Sequence, residues 1–341
     1  MLKAFEEFRK RLDEVIIKAI NKRVVLYGYG RSGQFIQWYA DYYHSIKIDF
    51  IVRESMKTSI PYSFPTFPPT VFDFGYKDIC DAVIWLTFVD NEVGKAKLEK
   101  LGFVEGKNYF DFCQIVYGEN KVWEGRTNTS LDVFTRRKTG DKDIQFLEWL
   151  EYKYGCNFVT EIDVSHYRKD GICVGYKVTS TREIFSILDK VHCVPQASDA
   201  IFDIGCGKGG GIVSFLDYGF QNVGGAEFEE RIYDALKRNL ELINEETNGK
   251  IEILCKDAIQ LTAELDAYNW FYCFLSDGEH WKALAKHLRE SVERNPRKIT
   301  IIVRNPFALA RESFESEEFI LINSFVIDTR QKVVNVYTNK I

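Results

Sequence analysis

The sequence predicts an α/β protein of two doubly wound domains, and three observations carry that prediction. Two segments share one grammar of apolar strand, glycine-rich turn and helix. They are Arg23-Val-Val-Leu-Tyr-Gly-Tyr-Gly-Arg-Ser-Gly33 before QFIQWYADYYH, and Ala200-Ile-Phe-Asp-Ile-Gly-Cys-Gly-Lys-Gly-Gly-Gly211 before IVSFLDYGF. Each leads into another strand-like run, IKIDFIV or NVGGAEF, and repeated strand–helix alternation builds a parallel sheet with helices on both faces. The chain closes on EFILINSFVI and KVVNVYT with no helix between them, which predicts a terminal antiparallel hairpin.

The elements follow in order. Phe5, Phe8, Leu12, Val15, Ile16 and Ala19 share one face of an N-terminal amphipathic helix. After IKIDFIV, the proline-rich SIPYSFPTFPPT reads as an extended loop. DAVIWLTF is then a buried strand, NEVGKAKLEKLGF a helix and KNYFDF a short strand, which completes a small domain over 1–117. The polar run from Gly118 to Asp141 opens a linker and helical, acceptor-side segment over 118–175, with FLEWLEYKYG as its helix. The second domain, 176–341, runs from TREIFSILDKV (helix) through the second glycine turn. IEILC, WFYCFL and KITIIV are its further strands, with the helix EHWKALAKHLRESVER after WFYCFL.

Composition narrows the function. The 341 residues are 45% hydrophobic, 28% charged and 15% aromatic, a globular rather than disordered composition. The 45 Lys and Arg against 50 Asp and Glu leave a net charge of −5, which argues against a nucleic-acid partner held through many phosphates. None of the eight cysteines forms a C-x-x-C pair, so neither a zinc ribbon nor a thioredoxin-type motif is present. The charged start MLKAFEEFRKRLDEV and the lack of a long apolar run predict a cytoplasmic protein without a membrane span.

The second glycine turn carries the main chemical signal. In Asp203-Ile-Gly-Cys-Gly-Lys-Gly209 an acid ends a strand and glycines let a ligand lie against the backbone. Lys208 is followed by Gly209 rather than Ser or Thr, so the turn lacks the magnesium hydroxyl of a P-loop. The next strand ends in Glu227, placed to accept hydrogen bonds from a ribose diol. After the third strand, Asp257 and Ala258 lie at another carboxyl end.

On these residues the second half resembles the class I S-adenosylmethionine-dependent methyltransferases, whose Rossmann-like fold is a seven-stranded sheet ending in an antiparallel pair. DIGCGKG is similar to the family's first motif. By that resemblance Gly205, Gly207 and Gly209, with Asp203 at the strand end, would lie at the methionyl part of the cofactor. Glu227 would take the ribose hydroxyls, and Asp257 beside Ala258 the adenine amino group. YKVTSTREIFSILDKV is similar to the approach segment of a bacterial subgroup.

The loop after WFYCFL faces the transferring methyl group in that fold. Here it reads Ser276-Asp277-Gly278-Glu279-His280-Trp281, with neither the N-P-F type motif of the resembled bacterial subgroup nor the [DN]-P-P-[FYW] of amino-group methylases. Methyl transfer to oxygen needs a base or a metal, so Asp277, Glu279 and His280 are the candidate catalytic residues. The alternative is that Glu279 merely favours a helix start while His280 and Trp281 pack. FLSDGEHWK is also slightly similar to the magnesium loop of catechol-type O-methyltransferases. After KITIIV, however, the chain has Val303-Arg304-Asn305-Pro306 without the second acid, so no metal site is assigned. His166 and Tyr167 are further acceptor-side candidates, and His192 and Cys193 read as packing residues.

Gly28, Gly30 and Gly33 form a G-x-G-x-x-G between a strand and a helix. Glu54 at the next strand's end would meet a ribose diol, whereas Arg53 would accommodate a 2′-phosphate. This domain is similar to small Rossmann-like nucleotide-binding-type domains attached to enzymes of bacterial surface-sugar biosynthesis. A scaffold or dimerisation role is the alternative. The expected function is methylation, at oxygen, of a small sugar or nucleotide-linked acceptor, by a chain that could form a homo-oligomer. A non-catalytic nucleotide or S-adenosylmethionine sensor, and an NAD(P)-dependent oxidoreductase using the first domain, are the competing readings.

Overall fold

The computed structural model describes residues 2–53, 64–74, 81–87, 92–112, 145–159, 176, 178–275, 278–306, 308–327 and 332–340. The chain divides into two compact units, Phe5–Tyr152, and Met1–Ala4 together with Lys153–Ile341.

In the first unit, α1 (Glu6–Ile16) continues as a 3₁₀ turn, Ile17–Ala19. Phe5, Phe8, Leu12, Val15, Ile16 and Ala19 are all buried, since three- and four-residue steps return side chains to one face. There follow β1 (Val24–Tyr27), α2 (Arg31–His44), β2 (Phe50–Val52), β3 (Thr66–Phe67), α3 (Val71–Phe74), β4 (Val83–Leu86), α4 (Glu92–Lys100), β5 (Tyr109–Asp111) and α5 (Gln145–Tyr154). The sheet has five strands in the order β3-β2-β1-β4-β5, and all its pairings are parallel. β1 and β4 are buried along their whole length, as a parallel strand covered on both faces must be.

The second strand is shorter than the sequence predicts. Ile46 N–H is spent on Ala40 O at the end of α2, and the Asp49 carboxylate takes the Val24 N–H, so the run before Phe50 closes a turn. The proline-rich loop, in turn, supplies an extra strand. Thr66–Phe67 pairs with β2, Ile51 N–H bonding Pro65 O and Arg53 N–H bonding Phe67 O. An edge strand tolerates the flanking Pro65 and Pro68, because their missing N–H groups are not needed there. Aromatic side chains fill the α1–α2–α5 core. Phe8 stacks on Trp149 with centroids 5.2 Å apart and on Phe35 at 5.9 Å, and the Arg9 guanidinium lies 4.9 Å from the Phe146 ring centre.

The second unit contains α6 (Thr181–Lys190), β6 (Ala200–Ile204), α7 (Gly210–Tyr218), β7 (Asn222–Glu227), α8 (Glu230–Leu242) and β8 (Lys250–Cys255). β9 (Trp270–Cys273), α9 (Gly278–Arg294), β10 (Thr300–Arg304), α10 (Ala308–Ser316), β11 (Ile320–Val326) and β12 (Val333–Thr338) follow. The seven strands run in the order β11-β12-β10-β9-β6-β7-β8. β8, β7, β6, β9 and β10 are parallel, while β12 pairs antiparallel with β10 and with β11. Two helices go beyond the sequence reading. α8 starts where the Glu229 side chain accepts the Ile232 N–H at 2.8 Å, and α10 buries Ala310, Ser313 and Phe314. Phe202, Ile204, Phe271, Trp281, Leu284, Ile301 and Tyr337 belong to one core cluster. No helix among the described residues is long and apolar enough to cross a membrane.

Candidate functional site

The strand order reverses at β6, which has β7 on one side and β9 on the other. In an open α/β sheet the crevice lies at the carboxyl ends of the strands at such a switch point. Beyond Ile204 the chain turns through Gly205, Gly207 and Gly209 at φ of 76°, 56° and 90°, a region in which a β-carbon is strained. The Gly205 and Cys206 N–H groups both donate to Ala226 O at 3.0 Å, which ties the turn to β7. A β-carbon on Gly207 would stand 2.7 Å from the Tyr176 ring, and one on Gly209 2.6 Å from Leu236.

Glu227 ends β7 and is buried. Its Oε2 accepts the Gly207 N–H at 3.1 Å and its Oε1 the Glu229 N–H at 3.0 Å, so both oxygens are oriented from the backbone. Burial raises its pKa, the N–H groups of Glu229, Gly207 and Phe228 act against that rise, and the Glu229 charge adds to it. Asp203 lies on the neighbouring strand with its carboxylate against Gly211, where a β-carbon would come within 2.1 Å of Oδ2. Burial, followed by the charge of Glu227, pushes Asp203 up to about 8. Two buried acids at adjoining strand ends suit a ligand that brings hydroxyl donors or positive charge.

Asp257 follows β8 and caps the 3₁₀ turn Ala258–Gln260, its Oδ1 accepting the Ile259 N–H at 3.1 Å. Ala258 beside it is buried. His280, in the first turn of α9, places Nε2 3.1 Å from the same Oδ1. The histidine expected at the acceptor is therefore brought to the acid expected at the adenine. Its neighbour Trp281 is fully buried in the core. Ser276, Asp277, His166, Tyr167 and Glu54 lie outside the described residues, as does the side chain of Glu279. Arg304 at the end of β10 is buried, 4.2 Å from the Phe274 ring centre, and pairs with Glu183, which Lys332 also meets at 3.4 Å.

Asn157 and Asn239 escaped sequence reasoning, as did the contacts they make with Lys208. Lys208 is buried, donates to Asn157 Oδ1 at 3.0 Å and lies 4.9 Å from the Tyr176 ring centre. Asn239 of α8 donates to Lys208 O at 3.0 Å and to Asn157 O at 3.1 Å, and accepts the Asn157 N–H at 2.6 Å. Tyr176 donates to Phe158 O. Asn157 and Asn239 meet through tertiary structure alone, and no spacing announces them. His192, read as a packing residue, is exposed in a left-handed turn at φ 53°. Cys193 is buried, and burial followed by Asp199 and Asp189 pushes its thiol up to about 12.

The turn after β1 is built differently. Gly28 has φ 102°, whereas Gly30 caps α2 at φ −78°. Gly33 is where the helix meets the turn, since a β-carbon there would be 2.7 Å from Gly28 O and 3.1 Å from the Thr87 hydroxyl. Thr87, buried and unnoticed in the sequence, donates its hydroxyl towards Gly28 O at 3.0 Å and Tyr27 O at 3.3 Å. Arg53 is buried just past β2.

No protein-family model and no curated protein matches the chain. Among solved structures it is similar to magnesium protoporphyrin IX methyltransferase from Synechocystis with bound S-adenosylmethionine, at 15% identity and a TM-score of 0.35 over 64% of this chain and 93% of that one. Ribosomal protein L11 methylase from Lactobacillus delbrueckii is 14% identical with a TM-score of 0.35, over 47% of this chain and 77% of that one. Aeropyrum pernix fibrillarin with natively bound S-adenosyl-L-methionine is 13% identical with a TM-score of 0.35, over 46% and 74%. Likenesses this slight carry no argument about the site, which is read from its own geometry.

Proposed function

We propose that the chain is an S-adenosylmethionine-dependent methyltransferase acting on a small acceptor. One observation supports this above the rest. Glu227 is locked by the Gly207 and Glu229 N–H groups beside three left-handed glycines, with Asp257 at the next strand's end. A ribose diol needs a fixed pair of acceptors, a backbone-flush chain needs glycines, and an exocyclic amino group needs a further acceptor. Asp203, Gly205, Gly207, Gly209, Glu227, Asp257 and Ala258 meet those needs in the order methionyl part, ribose and adenine.

When bound, the sulfonium supplies a labile methyl group. The chain's own residues hold the donor, orient it towards the acceptor and exclude water, the terms through which positioning lowers a displacement barrier. The acceptor in this reading is a hydroxyl of a sugar or nucleotide-linked metabolite. The Ser-Asp-Gly after β9 in place of an amino-methylase motif, and the net charge of −5, support it. Titration calorimetry with S-adenosylmethionine and S-adenosylhomocysteine tests the cofactor claim, and absence of binding to both would sink it. Mass spectrometry of methyl transfer to hydroxyl- and amino-bearing candidates tests the acceptor; transfer without binding loss but only to nitrogen would overturn the O-methylation claim.

A further inference from the structure

We propose that His280 is a positioning residue that fixes Asp257 for purine recognition and so makes the site select a 6-amino purine over a 6-oxo one. The inference rests on the methyltransferase reading above and adds to it a role for His280 towards the cofactor side of the site. Asp257 lies between the end of β8 and a 3₁₀ turn, its side chain 26% exposed. A carboxylate so placed would sample several rotamers unless something held it. Both of its contacts among the described residues fall on one oxygen: Oδ1 takes the Ile259 N–H at 3.1 Å and faces His280 Nε2 at 3.1 Å. The other oxygen is the one left for a ligand.

The imidazole is held from behind. His280 stands in the first turn of α9, whose next residue, Trp281, is fully buried together with Leu284 and Leu288 of the same helix. The helix is thereby anchored in the core, and the ring, 14% exposed, is carried on a rigid element. A carboxylate oxygen held in one place accepts from an exocyclic amino group and opposes a carbonyl at the same ring position, and a fixed acceptor discriminates better than a mobile one. In this reading the contact with Oδ1 engages Nε2, and His280 acts through Asp257.

The test is calorimetric titration of the full chain with S-adenosylhomocysteine and with its 6-oxo analogue, S-inosylhomocysteine. The wild type should prefer the amino form, and His280→Ala should cut that preference about tenfold, the worth of one hydrogen bond to a charged group. His280→Gln, whose amide nitrogen reaches the Nε2 position, should keep the preference. His280→Asn, whose amide stops at the Nδ1 position, should lose it, and this pair carries the test if the alanine variant fails to fold. An unchanged ratio in His280→Ala or His280→Asn, or equal loss for both ligands, would overturn the positioning role alone. A wild type that binds neither compound would overturn the cofactor reading and this inference with it.

Discussion

After β6 the backbone passes through three left-handed glycines and a buried glutamate reaches across from β7 to hold the middle one by its N–H. After β1 only Gly28 and no other residue of that turn is left-handed, and the carbonyls of Tyr27 and Gly28 are taken by the Thr87 hydroxyl. Both turns sit where the strand order of their sheet reverses. One gathers two buried acids, Glu227 and Asp203, on the strands that flank the switch point; in the other, Gly33 and Thr87 draw helix and strand together. A glycine pattern reports that backbones come close, and the groups around it decide what the closeness serves.

The sharpest way to break this contrast is at Glu227. Glu227→Ala should weaken S-adenosylhomocysteine binding by about 100-fold in a calorimetric titration, two charge-assisted hydrogen bonds being lost together. Gly33→Ala in the other turn should leave that affinity at the wild-type value. Equal effects from the two variants would erase the distinction.

Gly33→Ala should act on stability instead. Its β-carbon would meet the Gly28 carbonyl oxygen at 2.7 Å, and overpacking against backbone costs about 1–3 kcal/mol. Gly30→Ala has nothing within 4 Å of the new β-carbon and a negative φ, so its melting temperature should match the wild type. A normal melting curve for Gly33→Ala would remove the packing role.

Asp203 gives the second turn a pH signature. With its pKa raised to about 8, the folded chain keeps a proton that the unfolded chain releases in the ordinary carboxylate range. Stability therefore falls as pH rises from about 4 to about 8 and levels off above that. Asp203→Asn should flatten this slope in melting curves taken across that range, most visibly near its middle. A slope unchanged by the substitution would place the titration elsewhere. A modest effect is expected from Tyr176→Phe, which removes the hydroxyl bonded to Phe158 O and should cost about 1 kcal/mol in thermal denaturation.

Much of this was legible beforehand. The alternation of apolar runs and glycine turns identifies an α/β chain with parallel sheets, because strand and helix periods differ and glycines mark where one passes to the other. The apolar face of α1 is legible for the same reason. Thr66–Phe67 was not, since the prolines around it read as loop and only the free edge of β2 makes it a strand. α8 and α10 were missed beside stronger strand signals. The aromatic richness of the chain is spent partly in packing, as the rings of Phe8, Phe35, Phe146 and Trp149 show.

By itself the sequence determined most of the strands and helices, where the backbone must turn through glycine, and that acids end successive strands. Those properties are local, set by side-chain period and by the φ a residue can adopt. Only tertiary structure decided that Glu227 bonds the Gly207 N–H, that Asn239 reaches Lys208 and Asn157, and that His280 pairs with Asp257. Such contacts join residues 20 to 82 positions apart, and they form only when packing brings separate elements to one end of the sheet, a geometry no local pattern encodes.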